Sequence, residues 1–421
     1  MPLTKVSFSV IQVANNVTST TVGNTTSIPS FTFDQNGVIT SASNTAISGA
    51  GITANTIANS AFQTGSIENY SRATGLLSGM RNRIINGAMV IDQRNAGAAV
   101  TSNGAFPVDR FTVSNGTDGA FSAQQDSSVP AGFTKSTKIT ITTADTSLAA
   151  TQNLSFLQRI EGYNIADLNW GSANAKTVTL SFWVRSSLTG TFGGALRNND
   201  TNRSYPYTYS ISVADTWEYK TVTITGDTSG TWATDNNTGI NLIFGLGAGA
   251  DRSGTAGAWN SNTNSSATGA VSVVGTLNAT WYITGVQLEV GSTATSFDYR
   301  PYGTELQLCQ RYYYNIFGTA SDFQAFGCGV WLSSTVGKVL IDLPVPLRVV
   351  PTLEAASLRL FDAAASTTRS ATGFSIAYTV TATNKAFIDV SVGSSSASAG
   401  DACLAVLNTS TSARVGFSAE L

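Results

Sequence analysis

The chain has 421 residues, no histidine and a net charge of −2, and only 11% of its residues are charged, against about 25% in ordinary globular domains. With 23 Lys and Arg in this length there is no basic field for nucleic acid phosphates, and the missing histidine excludes Ser-His-Asp and Cys-His nucleophile systems, a histidine general base and the usual zinc sites. No apolar run approaches the roughly 18 residues that span a bilayer, and no charged-then-apolar leader opens the chain, so membrane insertion and ordinary signal-peptide export are not expected. Surface polarity must come from Ser, Thr and Asn, which together with Gly suit strands and tight turns, and the expectation is an all-β chain.

Residues 1–44 hold only two short strand-like runs, Val6-Ser7-Phe8-Ser9-Val10-Ile11 and Phe31-Thr32-Phe33. A segment this thin cannot bury a core alone. Next, Ile47, Ile52, Ile57, Phe62 and Ile67 recur every five residues, a period that neither a helix nor a simple strand produces. Twenty-odd residues are too few for a one-chain solenoid, which needs about three units to share a core. Three parallel copies, each contributing one large apolar side chain per pentad, would close one; residues 45–80 are therefore read as a trimeric shaft and neck. From residue 81 to about 303 short alternating segments are separated by Gly, Asn, Asp and Ser clusters, as in an antiparallel sandwich. Strands are predicted over 136–142, 178–185, 218–224 and 279–288. Residues 304–421 form a second β unit, opened by Leu308-Cys309-Gln310-Arg311-Tyr312-Tyr313-Tyr314 and read as a compact sandwich with its own core. Strands are expected there over 330–332, 338–343, 358–361, 375–380, 386–390 and 414–417, with Pro344, Pro346 and Pro351 confining their run to an edge or loop. Cys309, Cys328 and Cys403 have no metal-ligand spacing and are expected as buried or semi-buried free thiols.

Two stretches bracket the central domain: Arg81-Asn82-Arg83-Ile84-Ile85-Asn86-Gly87-Ala88-Met89-Val90-Ile91-Asp92-Gln93-Arg94, and Val286-Gln287-Leu288-Glu289-Val290-Gly291 running on to Phe297-Asp298-Tyr299-Arg300-Pro301-Tyr302. The first resembles the opening strand, and the second the closing strand and exit, of a jelly-roll β-sandwich found in tail-fibre proteins of tailed bacteriophages. Met1-Pro2-Leu3-Thr4-Lys5-Val6, Leu343-Pro344-Val345-Pro346-Leu347-Arg348-Val349-Val350-Pro351 and Gly416-Phe417-Ser418-Ala419-Glu420-Leu421 resemble the same family. The resemblance implies an elongated trimeric fibre with a virion-attachment N-terminus that docks on a tail or baseplate protein, a thin shaft, a central jelly roll and a C-terminal β-sandwich tip. It implies a virion protein made in the bacterial host cytoplasm that binds host-surface polysaccharide or another receptor, with no cofactor. Closing a jelly roll would bring its first and last strands into one sheet. The order of parts places receptor contact in the C-terminal loops, such as 318–326 and 363–372. The alternatives are a virion adaptor or decoration protein contacting only phage proteins, and a polysaccharide-depolymerising tailspike.

A tailspike needs two carboxylates about 5–9.5 Å apart. Asp92, Asp109, Glu161, Glu289 and Asp298 lie in or near the motifs, but Asp109-Arg110 and Asp298-Tyr299-Arg300 set a cation beside the acid, the pattern of structural carboxylates. No catalytic residue is assigned. The jelly roll also resembles carbohydrate-binding modules, where aromatic rings stack on sugars. Tyr205, Tyr207 and Tyr209, spaced by two, share one face of an extended strand, with Pro206 on the other arguing for an edge; that face is either a sugar platform or the core. Trp259, inside the polar loop 254–269, is either a platform or, preferred here, an anchor. A metal site cannot be read from the sequence.

Overall fold

The computed structural model describes residues 27–35, 37, 39–46, 80–200, 202–318, 323–362, 366–377 and 382–421. The expected shaft residues Ile47, Ile52, Ile57, Phe62 and Ile67, and the run 6–11, lie outside these. The chain divides into two units between residues 73 and 74. In the first, β1 (Ser27–Phe33) and β2 (Ile39–Ala46) form an antiparallel hairpin, so the boundary expected at residue 44 falls within β2. Phe31, Phe33 and Ile39 are exposed on it.

The second unit opens with the signature stretch from Arg81, which is not the strand expected. Residues 81–94 run through turns, with Asn86 and Met89 at positive φ. The Asn82 side chain takes the place of a strand neighbour: its Nδ2 donates to Val286 O and its Oδ1 accepts from Leu288 N and Ile84 N. Gly87 lies so close to the closing strand that a Cβ would come 2.1 Å from Val286 O. The sandwich strands follow: β3 (Phe111–Asn115), β4 (Ala120–Asp126), β5 (Ser136–Thr143), β6 (Asn153–Glu161), β7 (Val178–Ser186), β8 (Gly190–Arg197), β9 (Ser204–Ile211), β10 (Glu218–Ile224), β11 (Thr238–Ala248), the two-residue strands β12 (Ser253–Gly254) and β13 (Ser266–Ala267), and β14 (Thr280–Val290). Ten of them, all but β12 and β13, which pair with each other, make two five-stranded sheets, ordered β10-β7-β14-β5-β4 and β3-β6-β11-β8-β9. Facing rings interlock between them: Phe182 of β7 meets Phe244 of β11 edge-on at 5.1 Å, and Phe156 of β6 meets Trp281 of β14 at 5.8 Å. The first regular strand, β3, lies in the sheet opposite β14. It is the irregular opening stretch that reaches β14, through Arg83 N to Leu288 O and Val286 N to Gly87 O, where β14 runs on past its pairing with β5.

Leu308 to Gln310 do not open a strand. They end helix α1 (Tyr302–Gln310), which begins after Pro301 with Glu305 in its first turn, both helix-start signals. Beyond it come β15 (Tyr313–Phe317), β16 (Gln324–Ser333), β17 (Val336–Asp342), β18 (Thr352–Ala356), β19 (Leu358–Asp362), β20 (Thr367–Ile376), β21 (Lys385–Val392), β22 (Ala402–Leu407) and β23 (Arg414–Ser418). This unit is all-β with its own core, as expected, but not as two open sheets. Six strands close into a barrel, β16-β17-β21-β20-β19-β22, beside a three-stranded sheet β15-β23-β18. Closure removes the free edges an open sheet would leave. The proline run lies in the loop between β17 and β18. On the barrel's outer wall Val330 and Leu404 are exposed around an apolar hollow of about 630 Å³ with Cys328, Leu340, Phe361 and Phe387. Cys309 and Cys403 are buried free thiols, whereas Cys328 is exposed, because its strand position pairs with Leu404 on that outer wall.

The signature residues join sandwich to barrel. Glu420 sits between Arg94 and Arg110, and Arg110 also stacks on Tyr312, its guanidinium 3.5 Å from the ring centroid. The Arg311 guanidinium forks onto Glu161 at 2.9 and 2.5 Å, and Tyr312 Oη donates to the same carboxylate. Arg300 donates to Ile84 O, Asn82 O and Glu305.

Candidate functional site

In an extended strand, alternate residues face opposite sides of the sheet. Tyr205, Tyr207 and Tyr209 do share a face of β9, and β9 is the edge strand that Pro206 implied. That face is the inner one. The three residues are 7%, 1% and 5% exposed, Tyr207 Oη donates to Ile243 O, and Tyr209 Oη accepts from Trp281 Nε1. Burial pushes the Tyr207 and Tyr209 phenols well above their ordinary pKa. Thr208 and Ser210 occupy the alternate, exposed positions, so the apolar rings took the core; the tyrosine platform is corrected to core. Trp259 is an anchor. It packs edge-on against Trp170, Trp232 and Tyr205 at 5.3–5.4 Å, and its Nε1 donates to Thr225 O at 2.7 Å, tying the polar loop to the sandwich.

The aromatic platform lies on the outer face of the other sheet. In β7, Phe182 and Val184 point into the core, which leaves Trp183 and Arg185 outside. The register sets Tyr219 of β10 opposite Trp183, and their rings lie 5.4 Å apart at 49°. Thr284 of β14 flanks Trp183 on the other side. Beside this floor the chain leaving β14 folds back against Phe133 of the β4–β5 loop, and together they raise a wall of three rings: Phe297 packs on Tyr299 at 4.8 Å and on Phe133 at 5.2 Å. Gly285, at φ +63°, keeps the floor open where β14 bulges, since a Cβ there would meet Phe133 at 2.6 Å. Trp183, Tyr219, Ser181, Gly285, Phe133, Tyr299 and residues 294–297 enclose a groove of about 430 Å³. Tyr219 and Tyr299 are 43% and 58% exposed.

One row further along the same face, Arg185 pairs across β14 with Tyr282, which pairs with Lys138 of β5 and that with Gln124 of β4. Trp217, just before β10, stands beside this row with its ring 6.1 Å from that of Tyr282. The sheet thus carries an aromatic groove leading into a polar row. Rings that are exposed yet fixed by their neighbours, with hydroxyls and amides close by, suit a ligand with an apolar face and a polar rim, as a pyranose ring has. The groove lies on the jelly roll, not in the C-terminal unit where the order of parts placed recognition. None of its aromatics was assigned to glycan contact from the sequence, although Phe297 and Tyr299 stand in the second bracketing stretch. The available signal was β7, where Val178, Leu180, Phe182 and Val184 make one apolar parity and Trp183 shares the other with Thr179, Ser181 and Arg185, so Trp183 has to face outward.

The motif carboxylates all have structural partners. Asp92 accepts from the N–H groups of Arg94, Asn95 and Gly97. Asp109 is buried against the Gln93 N–H and amide, and burial raises its carboxyl from 3.8 to about 6. Its cation is Arg94 at 3.8 Å, not the adjacent Arg110, which turns to Glu420. Asp298 accepts from Asn82 N, while the nearby Arg300 pairs with Glu305 instead. Chain neighbours point in different directions, so sequence adjacency does not make these pairs. Glu289 accepts from Thr295 and Gln287 and faces Arg81 at 4.0 Å. Among the described residues no group of three or more Cys, Asp and Glu could hold a metal ion, and no helix is long and apolar enough to cross a membrane.

No protein-family model matches the sequence, and no curated protein matches it. Among solved structures the chain is similar to the enzymatically active domain of bacteriophage CBA120 tailspike protein 4, at 14% identity and a TM-score of 0.28, over 51% of this chain and 22% of that one. It is also similar to the family 11 carbohydrate-binding module of the Clostridium thermocellum cellulase Lic26A-Cel5E, at 13% identity and a TM-score of 0.22, over 49% of this chain and all of the module. A third is TmCBM61, solved with β-1,4-galactotriose, at 9% identity and a TM-score of 0.24, over 50% of this chain and 99% of that one.

Proposed function

We propose that the jelly roll binds glycan on the outer face of its β10-β7-β14-β5-β4 sheet, and that the chain is a phage tail-fibre protein attaching the virion to a host-surface polysaccharide. The observation that carries the glycan reading is the groove itself: Trp183 and Tyr219 as a floor, Phe133, Phe297 and Tyr299 as a wall, and a polar row beyond. The fibre reading is supported by the motif resemblance at both ends and in the middle of the sequence. The protein acts by binding and not by hydrolysis, a reading supported by motif carboxylates already committed to backbone amides and arginines. It functions as a homotrimer, in keeping with the five-residue apolar spacing from Ile47 to Ile67 and with the apolar barrel wall, a kind of patch that a second copy covers. The N-terminus docks on a tail or baseplate protein.

The test is adsorption of the purified chain to labelled host-envelope polysaccharide, with sugar release followed in the same tube and solution mass measured alongside. Binding without release, lost in Trp183→Ala, is expected. Release abolished by one Asp or Glu substitution would make the protein a tailspike, and binding unchanged in Trp183→Ala would move the site off this face.

A further inference from the structure

The groove accounts for Trp183 and Tyr219 but not for the row beside it, where two cations share one aromatic ring. The Arg185 guanidinium lies 4.9 Å from the centroid of Tyr282, and the Lys138 ammonium lies 5.6 Å from the same centroid. These three residues stand on three neighbouring strands in one register, with Trp217 closing the row. Among the described residues one acid faces them within ion-pair distance: Asp215, itself 56% exposed, meets Arg185 at 3.2 Å. Arg185 also donates to Ser128 Oγ, and the remaining neighbour across the row, Gln124, is neutral. Lys138 makes no ion pair among the described residues. In a chain with 11% charged residues, two cations over one ring with a single ion-paired acid among the described residues leave the row with a surplus positive charge.

We propose that Lys138 and Arg185 form an anion subsite of the glycan groove, and that the saccharide recognised carries a carboxylate on the unit next to the one stacked on Trp183. This rests on the glycan reading of the groove and narrows it to acidic sugars. Trp183 and Arg185 are two residues apart on one face of β7, about 7 Å along the strand, on the scale of one sugar unit. A carboxylate there accepts charge-assisted hydrogen bonds from the ammonium and the guanidinium, while Tyr282 holds both cations over its ring before the ligand arrives.

The full chain labelled with 5-fluorotryptophan reads out both parts of the groove at once, the Trp183 and Trp217 signals being assigned from Trp183→Phe and Trp217→Phe. Glucuronate, glucose and glucose 6-phosphate are titrated to millimolar concentrations. The expected result is that glucuronate shifts both signals and binds at least fivefold more tightly than glucose. Raising salt removes most of that advantage, and in Lys138→Gln the ratio of glucuronate to glucose affinity falls to about one. Equal affinity for glucuronate and glucose, or a glucuronate affinity indifferent to Lys138→Gln, overturns the proposal and leaves the groove standing. A response to glucose 6-phosphate but not to glucuronate overturns the carboxylate assignment in favour of phosphate. If no sugar moves the Trp183 signal, the groove reading fails and this inference with it.

Discussion

Two sets of aromatics in the jelly roll share a spacing of two and have opposite fates. Tyr205, Tyr207 and Tyr209 of β9 line the inside of the sandwich; Trp217 and Tyr219, at the start of β10 and next to Trp183, line the outside. Spacing fixes that residues share a face and not which face it is. What decides is the alternate set. In β9 that set ends in Thr208 and Ser210, so turning the tyrosines outward would bury hydroxyls and expose three rings. In β7 it is Leu180, Phe182 and Val184, each with no exposed surface, and Trp183 is left to the solvent side. An aromatic becomes a platform where its strand already has a better set for the core.

The contrast is sharpest in paired truncations. Tyr207→Ala removes a ring from the interior along with its hydrogen bond to Ile243 O, and should cost about 3–5 kcal/mol in denaturant unfolding, while the fraction still folded keeps its glycan affinity. A cost under ~1 kcal/mol would place Tyr207 at a yielding surface and undo the assignment of inner and outer faces.

Charged groups obey the same division, and pH separates them. Asp109 is buried and its carboxyl sits at about 6 in the folded chain, against 3.8 ordinarily. Because the folded state holds this proton more tightly than the unfolded one, the contribution of Asp109 to stability is greatest below pH ~4 and falls as pH rises to ~6. By neutral pH the ionised group costs about 3 kcal/mol relative to its acid form. Asp109→Asn, which retains an acceptor for Gln93 N, should therefore gain on the wild type as pH is raised through that window, measured as the difference between their urea midpoints. A difference that stays constant from pH 4 to pH 7 would show that Asp109 is no more costly to ionise folded than unfolded.

On the outer face the expected effects fall on binding. Trp183→Ala should shift stability by about 0.5 kcal/mol or less and weaken glycan binding tenfold or more, the behaviour of a hot-spot ring. If stability falls by several kcal/mol and affinity is kept, Trp183 belongs to the core and the groove is an accident of packing.

Much of the fold was legible because alternation is a local property. Val178 to Arg185, Glu218 to Ile224 and the run ending at Leu288 lie within strands that the structure draws at nearly the same limits. The opening stretch was not legible as turns, because what replaces its ladder is the side chain of Asn82 bonding a strand over two hundred residues away. Nor was the barrel, since closure depends on β16 pairing with β22, a long-range register that no window of sequence contains. For the site, the tyrosine spacing identified a true common face, but choosing the inner side required weighing Thr208 and Ser210 against the rings. The wall of Phe133, Phe297 and Tyr299 is assembled from two distant segments and leaves no periodic trace.

The smallest expected effect tests the remaining aromatic, Trp259, which lies between the two classes: half-buried, in a polar loop, but packed on Trp170, Trp232 and Tyr205. As an anchor, it holds the loop through ring contacts and one hydrogen bond to Thr225 O. Trp259→Phe keeps an aromatic ring and removes the indole N–H, so it should cost about 1 kcal/mol and speed hydrogen exchange in residues 254–269 relative to the sheets. Affinity for glycan in the Trp183 groove should not change, because Tyr205, the strand residue Trp259 packs on, belongs to the other sheet. Loss of glycan affinity with the loop still protected would make Trp259 a ligand platform after all, and would show that a ring can be held by three others and still serve the surface.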